Sequence, residues 1–152
     1  MGDLDVSRLG ERERAAWEQL FGDYLRFYGK SMDRDGYERT WSALQADTVM
    51  HALGARLDAR LVGIVHFLEH ASTTAADVCY LQDLFTADGA RGRGVGRALI
   101  AAVVDHAAAL GCSRVYWHTH ETNAVARTLY DRVAVNNGFI RYEIALRPDP
   151  HH

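Results

Sequence analysis

Residues 83–100 read Asp-Leu-Phe-Thr-Ala-Asp-Gly-Ala-Arg-Gly-Arg-Gly-Val-Gly-Arg-Ala-Leu-Ile, a strand-like run that passes through a glycine-rich turn into the start of a helix. Gly92, Gly94 and Gly96 let the backbone bend tightly and approach a ligand without Cβ obstruction. The N–H groups of the first helical turn then converge on one spot, which attracts anions. Arg91, Arg93 and Arg97 surround the same turn, so a ligand carrying a pyrophosphate is expected rather than a neutral metabolite. A dinucleotide fingerprint would need glycine where Arg97 stands, and a P-loop would need a lysine that the turn does not contain. The pattern that remains is Arg-x-x-Gly-x-Gly, as Arg91, Gly94 and Gly96.

Periodicity supplies the frame around this turn. Leu4 to Arg8 suits a first strand, and Trp17, Leu20, Tyr24, Leu25 and Phe27/Tyr28 recur at helical spacing within Glu11 to Tyr28. Tyr37, Trp41 and Leu44 mark a shorter second helix. The runs Thr48 to Leu57 and Arg60 to Glu69 flank Asp58-Ala59 as a β-hairpin, and Val78 to Thr86 is a third strand after it. Gly94 to Leu110 carries Leu99, Ile100, Val103, Val104, Ala107 and Leu110 on one helical face and stops at Gly111. Ser113 to Thr119 is expected as a strand, Asn123 to Val135 as a helix, and Phe139 to Leu146 as a last strand alternating through Ile140, Tyr142, Ile144 and Leu146. This order predicts a mixed α/β layer fold. Residues 1–147 are expected to form one domain and 148–152 a short tail.

Charge and composition narrow the partners. The formal net charge is −3, and outside 91–97 the arginines are scattered, so there is no basic footprint for nucleic acid. No segment approaches the roughly 20 apolar residues of a membrane span, and the N-terminus lacks a signal-peptide core. Cys79 and Cys112 fit neither a metal spacing nor a disulfide framework and read as thiols of a reducing compartment. A cytoplasmic protein is expected.

Three motifs in order carry a resemblance to a known family. They are the strand Tyr80-Leu-Gln-Asp-Leu-Phe-Thr86, the turn Arg91-Gly-Arg-Gly-Val-Gly96, and the helix Asn123-Ala-Val-Ala-Arg-Thr-Leu-Tyr130 followed by Gly138-Phe139. Together they resemble the GNAT superfamily of acyl-CoA-dependent N-acetyltransferases. Tyr116-Trp-His-Thr119 with Asn123 and Leu129-Tyr-Asp131 is similar to the branch that acetylates histones or polyamines. The resemblance implies a mostly antiparallel mixed sheet of six to seven strands with a central splay, flanked by about four helices. It also implies acetyl-CoA as cosubstrate, no metal, an amine acceptor (polyamine, amino-acid-like molecule or protein lysine), transfer in a ternary complex, and a homodimer formed through the C-terminal region.

The resemblance also assigns roles. Leu84, Phe85 and Thr86 would line the donor through the backbone, Arg91, Gly92, Arg93, Gly94, Val95, Gly96 and Arg97 would hold its pyrophosphate, and Asn123 would help to hold it. Tyr130 would be the general acid that protonates the departing sulfur. Asp83, a carboxylate in an apolar strand, is either the base or a hydrogen-bonded acid that fixes the splay, with Glu121 and His120 as rivals for the base. Gln82 stands where an acid is common in related strands. His118, His120 and Glu121 could be read as metal ligands, but no third ligand has recognisable spacing. The Trp17, Tyr24 and Tyr28 stripe reads as core before it reads as a cation-binding wall. Two other classes stay open, a catalytically silent acyl-CoA-binding or regulatory domain and a nucleotide-binding protein.

Overall fold

The hairpin expected at Asp58-Ala59 is the centre of the sheet. Strands β2 (Met50–Leu57) and β3 (Arg60–His70) pair antiparallel across it. Both loop residues are left-handed, with φ of 52° and 68°, the mirror-image two-residue turn that suits the twist of paired strands. The computed structural model describes residues 3–147, so the tail expected at 148–152 lies outside the described residues. β1 (Leu4–Arg8) adds antiparallel to β2, and β4 (Val78–Thr86) adds antiparallel to β3. β5 (Val115–Tyr116) pairs parallel with β4, which gives one sheet in the order β1-β2-β3-β4-β5.

Helices cover both faces. On one side α1 (Arg14–Phe27) and α2 (Arg34–Ala46) bury Trp17, Leu20, Phe21, Trp41 and Leu44 over Ala52, Leu61 and Ile64. Asp33 starts α2 by accepting a 2.8 Å bond from the Gly36 N–H. On the other side α3 (Val95–Ala109) lays Val95, Leu99, Ile100, Val103 and Ala107 on Val65, Phe67, Cys79 and Leu81, with α4 (Ala124–Val133) packing beside it through Leu129, Tyr130 and Val133. The start of α3 sits close to the sheet because β3 has glycine beneath it. A Cβ on Gly63 would fall 2.7 Å from Val95 Cγ1 and 3.3 Å from the Phe85 carbonyl.

Four expectations fail. The sheet has five strands rather than six to seven, and the strand expected over 113–119 contracts to Val115–Tyr116, since the β4 ladder accepts only Cys79 with Val115 and Tyr80 with Tyr116. Residues 139–146 form no strand. Their apolar side chains are bare, Phe139 at 89% and Leu146 at 95% exposure. Alternation gives a segment the propensity to be a strand, but the ladder needs an adjacent edge, and this segment meets none among the described residues. The last helix also ends at Val133, not Val135.

Arg56 ties the N-terminal part together. Its guanidinium meets both Glu13 carboxylate oxygens, at 2.8 and 2.5 Å, and donates to Ser7 Oγ and the carbonyls of Arg8 and Gly54. The hydrogen bonds from Arg56, opposed by burial, hold the Glu13 carboxyl below its ordinary range. A depressed folded pKa stabilises above the unfolded value and stops doing so as pH falls through the folded one. Glu13→Gln is therefore expected to cost about 1–2 kcal/mol at pH 7 by urea unfolding, with the gap to wild type closing below about pH 4. A gap that persists unchanged at acid pH would show that the ionised pair is not its source.

Candidate functional site

β4 and β5 part after Tyr80 and Tyr116, so the edge of β4 that faces away from β3 has no strand beside it from Leu81 to Thr86. This is the expected splay. The chain then turns through Gly92 and Gly94, both left-handed with φ of 81° and 79°, a conformation that L side chains rarely adopt. Gly94 is the N-cap of α3 and offers no side-chain cap. Among the described residues nothing accepts from the N–H groups of Gly94, Val95, Gly96 and Arg97, and Arg93 and Arg97 meet no carboxylate. Arg91 pairs with Asp88 at 3.2 Å on the exposed rim. A cluster of free donors, two unpaired guanidinium groups and open space above both left-handed glycines fits a pyrophosphate.

The other half of the site depends on one extra residue in β4. His66 pairs with Asp83 but Phe67 pairs with Leu81, so Gln82 is bulged out to solvent. The bulge resets the alternation: Cys79 and Leu81 point toward α3 before it, Leu84 does so after it, and Asp83 is delivered to the α1 face beside His66. His66 is almost fully buried. Trp17 Nε1 donates to His66 Nε2 at 3.0 Å, and an indole N–H can only donate, so the ring proton lies on Nδ1. Nδ1 in turn donates to Asp83 Oδ2 at 2.9 Å, and the Tyr24 hydroxyl stands against the same carboxylate. Tyr24 and Tyr28 of α1 complete this wall. Burial first, and the Asp83 carboxylate second, raise both phenols above their ordinary range.

α4 closes the far side. Asn123 caps it by accepting from the Ala126 N–H, and it lines an open groove of about 490 Å³ with Phe27, Tyr28, His120, Thr122 and Val125. Tyr130 packs edge-on against Trp117 at 5.4 Å, and burial pushes its phenol up to about 12. Thr119 Oγ1, on the segment leading to α4, is buried without a partner among the described residues. Such a group commonly awaits a ligand or water. His120 lies over Tyr28 with ring centroids 5.8 Å apart, whereas His118 Nδ1 is 3.2 Å from the Tyr80 hydroxyl, and Glu121 is exposed.

Residues 14–134 match the acetyltransferase (GNAT) family. The chain belongs to the GNAT acetyltransferases. Over 142 residues it is 30% identical to the D-amino-acid N-acetyltransferase HPA3 of Saccharomyces cerevisiae, covering 91% of this chain and 88% of that one. Solved structures share its fold. A ribosomal-protein-alanine N-acetyltransferase from Brucella melitensis biovar Abortus 2308 superposes with a TM-score of 0.77 at 24% identity, over 95% of this chain and 100% of that one. The aminoglycoside enzyme AAC(6')-Iy, in complex with a bisubstrate analogue of coenzyme A, gives 0.84 at 16% identity, over 94% and 98%. This GNAT acetyltransferase is an enzyme of a family that uses acetyl-CoA, and the turn at 91–97 has the donors that such a cosubstrate requires.

Of the residues singled out in the sequence, Asp83 faces Tyr24 and Tyr28, and Asn123 shares a groove with Tyr28, while His66, which was not singled out, holds Asp83. The available signal was a histidine inside the apolar run Leu61-Val-Gly-Ile-Val-His-Phe. Trp17 proves to be core, and Tyr24 and Tyr28 face Asp83 as well as packing. Trp17→Phe removes the indole donor, leaves His66 Nε2 buried without its partner and opens space. It is expected to cost at least ~2 kcal/mol in urea unfolding. A change under about 0.5 kcal/mol would mean that the Trp17–His66–Asp83 chain contributes nothing to the fold.

Proposed function

We propose that this GNAT enzyme moves the acetyl group of acetyl-CoA onto a small primary amine by direct attack in a ternary complex. The observation that carries the reading is the double use of β4. Its open edge and the free donors of α3 suit the donor, while the bulge at Gln82 aims Asp83 at an aromatic wall on the α1 side that suits a cation. When bound, acetyl-CoA supplies an activated acyl carbon and a thiolate leaving group.

The backbone of Leu84, Phe85 and Thr86 would position the donor arm, and Arg91, Gly92, Arg93, Gly94, Val95, Gly96 and Arg97 would hold its pyrophosphate, with Asn123 at the groove. A lysine-like amine has a pKa near ~10.4 and arrives protonated. Asp83, oriented by His66 and flanked by the Tyr24 and Tyr28 phenols, attracts that ammonium and takes its proton, freeing the lone pair for attack. The C–N bond forms as the C–S bond breaks, Tyr130 gives its proton to the sulfur, and the second proton shed by the acylated nitrogen passes through solvent to restore the phenol. A phenol raised to about 12 keeps that proton at neutral pH. Among acceptors, amino acids come first, because the relative in Saccharomyces cerevisiae is named for acetylating D-amino acids. Polyamines and protein lysines are the remaining members of the panel. The free thiols Cys79 and Cys112 accord with a cytoplasmic setting.

Tyr130→Phe is expected to lower kcat by roughly ten-fold or more with coenzyme A affinity unchanged, read by free-thiol release and calorimetry. The wild-type rate should show no alkaline fall from this group below about pH 11. An unaltered kcat removes Tyr130 from the chemistry. Coenzyme A binding without acetylation of any amine in the panel would identify a silent acyl-CoA-binding domain instead.

The same reading includes a homodimer. Phe139, Ile140, Tyr142, Ile144 and Leu146 are bare in the single chain, and β5 ends the sheet with a free edge. A second copy offering its own 139–146 segment to that edge would cover both. Ile144→Asp should convert a dimer to a monomer in sedimentation experiments. A wild-type chain that sediments as a monomer at tens of micromolar would refute the dimer and leave the catalytic reading intact.

A further inference from the structure

At the end of the molecule away from the glycine turn, three side chains from three elements converge. His51 of β2, Glu69 of β3 and His106 of α3 place one ligand atom each within 4.8 Å of one another. His51 Nε2 is 2.8 Å from Glu69 Oε2, and His106 Nε2 is 3.2 Å from Glu69 Oε1. We propose that these three residues form a transition-metal site that takes Zn2+, separate from the acetyl-transfer centre.

The donor set suits zinc. Two imidazoles and a carboxylate are borderline ligands, unsuited to the all-oxygen shells of calcium and magnesium. Tetrahedral bonds of about 2.0–2.2 Å require ligand atoms roughly 3.4 Å apart, a spacing bracketed by the 2.8 Å and 3.2 Å contacts and the 4.8 Å limit. Small side-chain shifts therefore suffice, with the ion replacing the protons that now bridge the imidazoles and the carboxylate.

The surroundings are also those of a metal site. Asp47 Oδ1 lies 2.7 Å from His51 Nδ1, which directs Nε2 inward and makes it a better donor. Phe67 packs against both imidazoles, at 5.3 Å and 4.9 Å between centroids, and walls the site on the sheet side. His106 is about one-third exposed, so the fourth position opens to water. Ten residues of α3, about 15 Å, separate Gly96 from His106, so an ion here does not reach the acyl-transfer chemistry. The role that fits is a clamp on β2, β3 and the C-terminal half of α3.

The same contacts without an ion would be a hydrogen-bonded latch, and titration of the full chain with Zn2+ separates the two. Calorimetry is expected to show one ion per chain, weakened about 100-fold by His106→Ala and about ten-fold by Asp47→Asn. Asparagine tolerates the left-handed backbone of residue 47, so the second variant should fold. A His118→Ala/His120→Ala control should bind as wild type does. In the unaltered protein Co2+ should develop the visible bands of a four-coordinate nitrogen and oxygen site, a readout that survives if a variant fails to fold. No Zn2+ binding tighter than about 100 µM, binding indifferent to both His106→Ala and Asp47→Asn, or binding abolished by the His118/His120 control would overturn the proposal.

Discussion

Two parallel backbone pairs, Cys79 with Val115 and Tyr80 with Tyr116, hold β5 to the sheet, and the site begins where that pairing stops. A longer ladder would have satisfied the edge of β4 and closed the gap that leads to the turn. Where β5 has left, the end of β4, the start of α3 and α4 come together, with Gly96 beside both Thr86 and Leu129. The fold obtains this opening by omission. The rest of the sheet, a regular antiparallel meander with helices on both faces, supplies the rigidity that lets one strand remain unpaired on that side.

Within β4 a second irregularity divides the work between the two sides. Had Gln82 been paired in register rather than bulged, Asp83 would have pointed toward α3 on the side of Cys79 and Leu81. The bulge sends it instead to His66, Tyr24 and Tyr28. There its charge has a specific partner, through a histidine whose tautomer is set by Trp17. Of the two possibilities raised for Asp83, the hydrogen-bonded strand acid is visible in the contact with His66, and the base is the role proposed for it above.

Features that depend on local chemistry were legible in the sequence. The Asp58-Ala59 hairpin, the end of the α3 region at Gly111, and the glycine and arginine turn follow from backbone freedom and periodicity. Features that depend on a neighbour were not. Residues 113–119 and 139–146 have the composition of strands, yet only two of them find a ladder, because pairing is decided by the edge that is present. The bulge was invisible because Gln82 differs from its neighbours only by register. His51, Glu69 and His106 lie too far apart in the chain to show any spacing, whereas His118, His120 and Glu121 are close in sequence and diverge in space.

Gly63 has an effect beyond packing. With Val95 resting where a Cβ would otherwise be, the first turn of α3 is seated directly on β3. The amides at that turn therefore lie close over Thr86 and Phe85, the residue opposite Gly63 in the ladder and the one before it. Distance between charge and strand is thus set by one missing Cβ, with Val95 filling the space it leaves. An anion gripped there would stand at a height above the sheet that a single methyl group at position 63 would change.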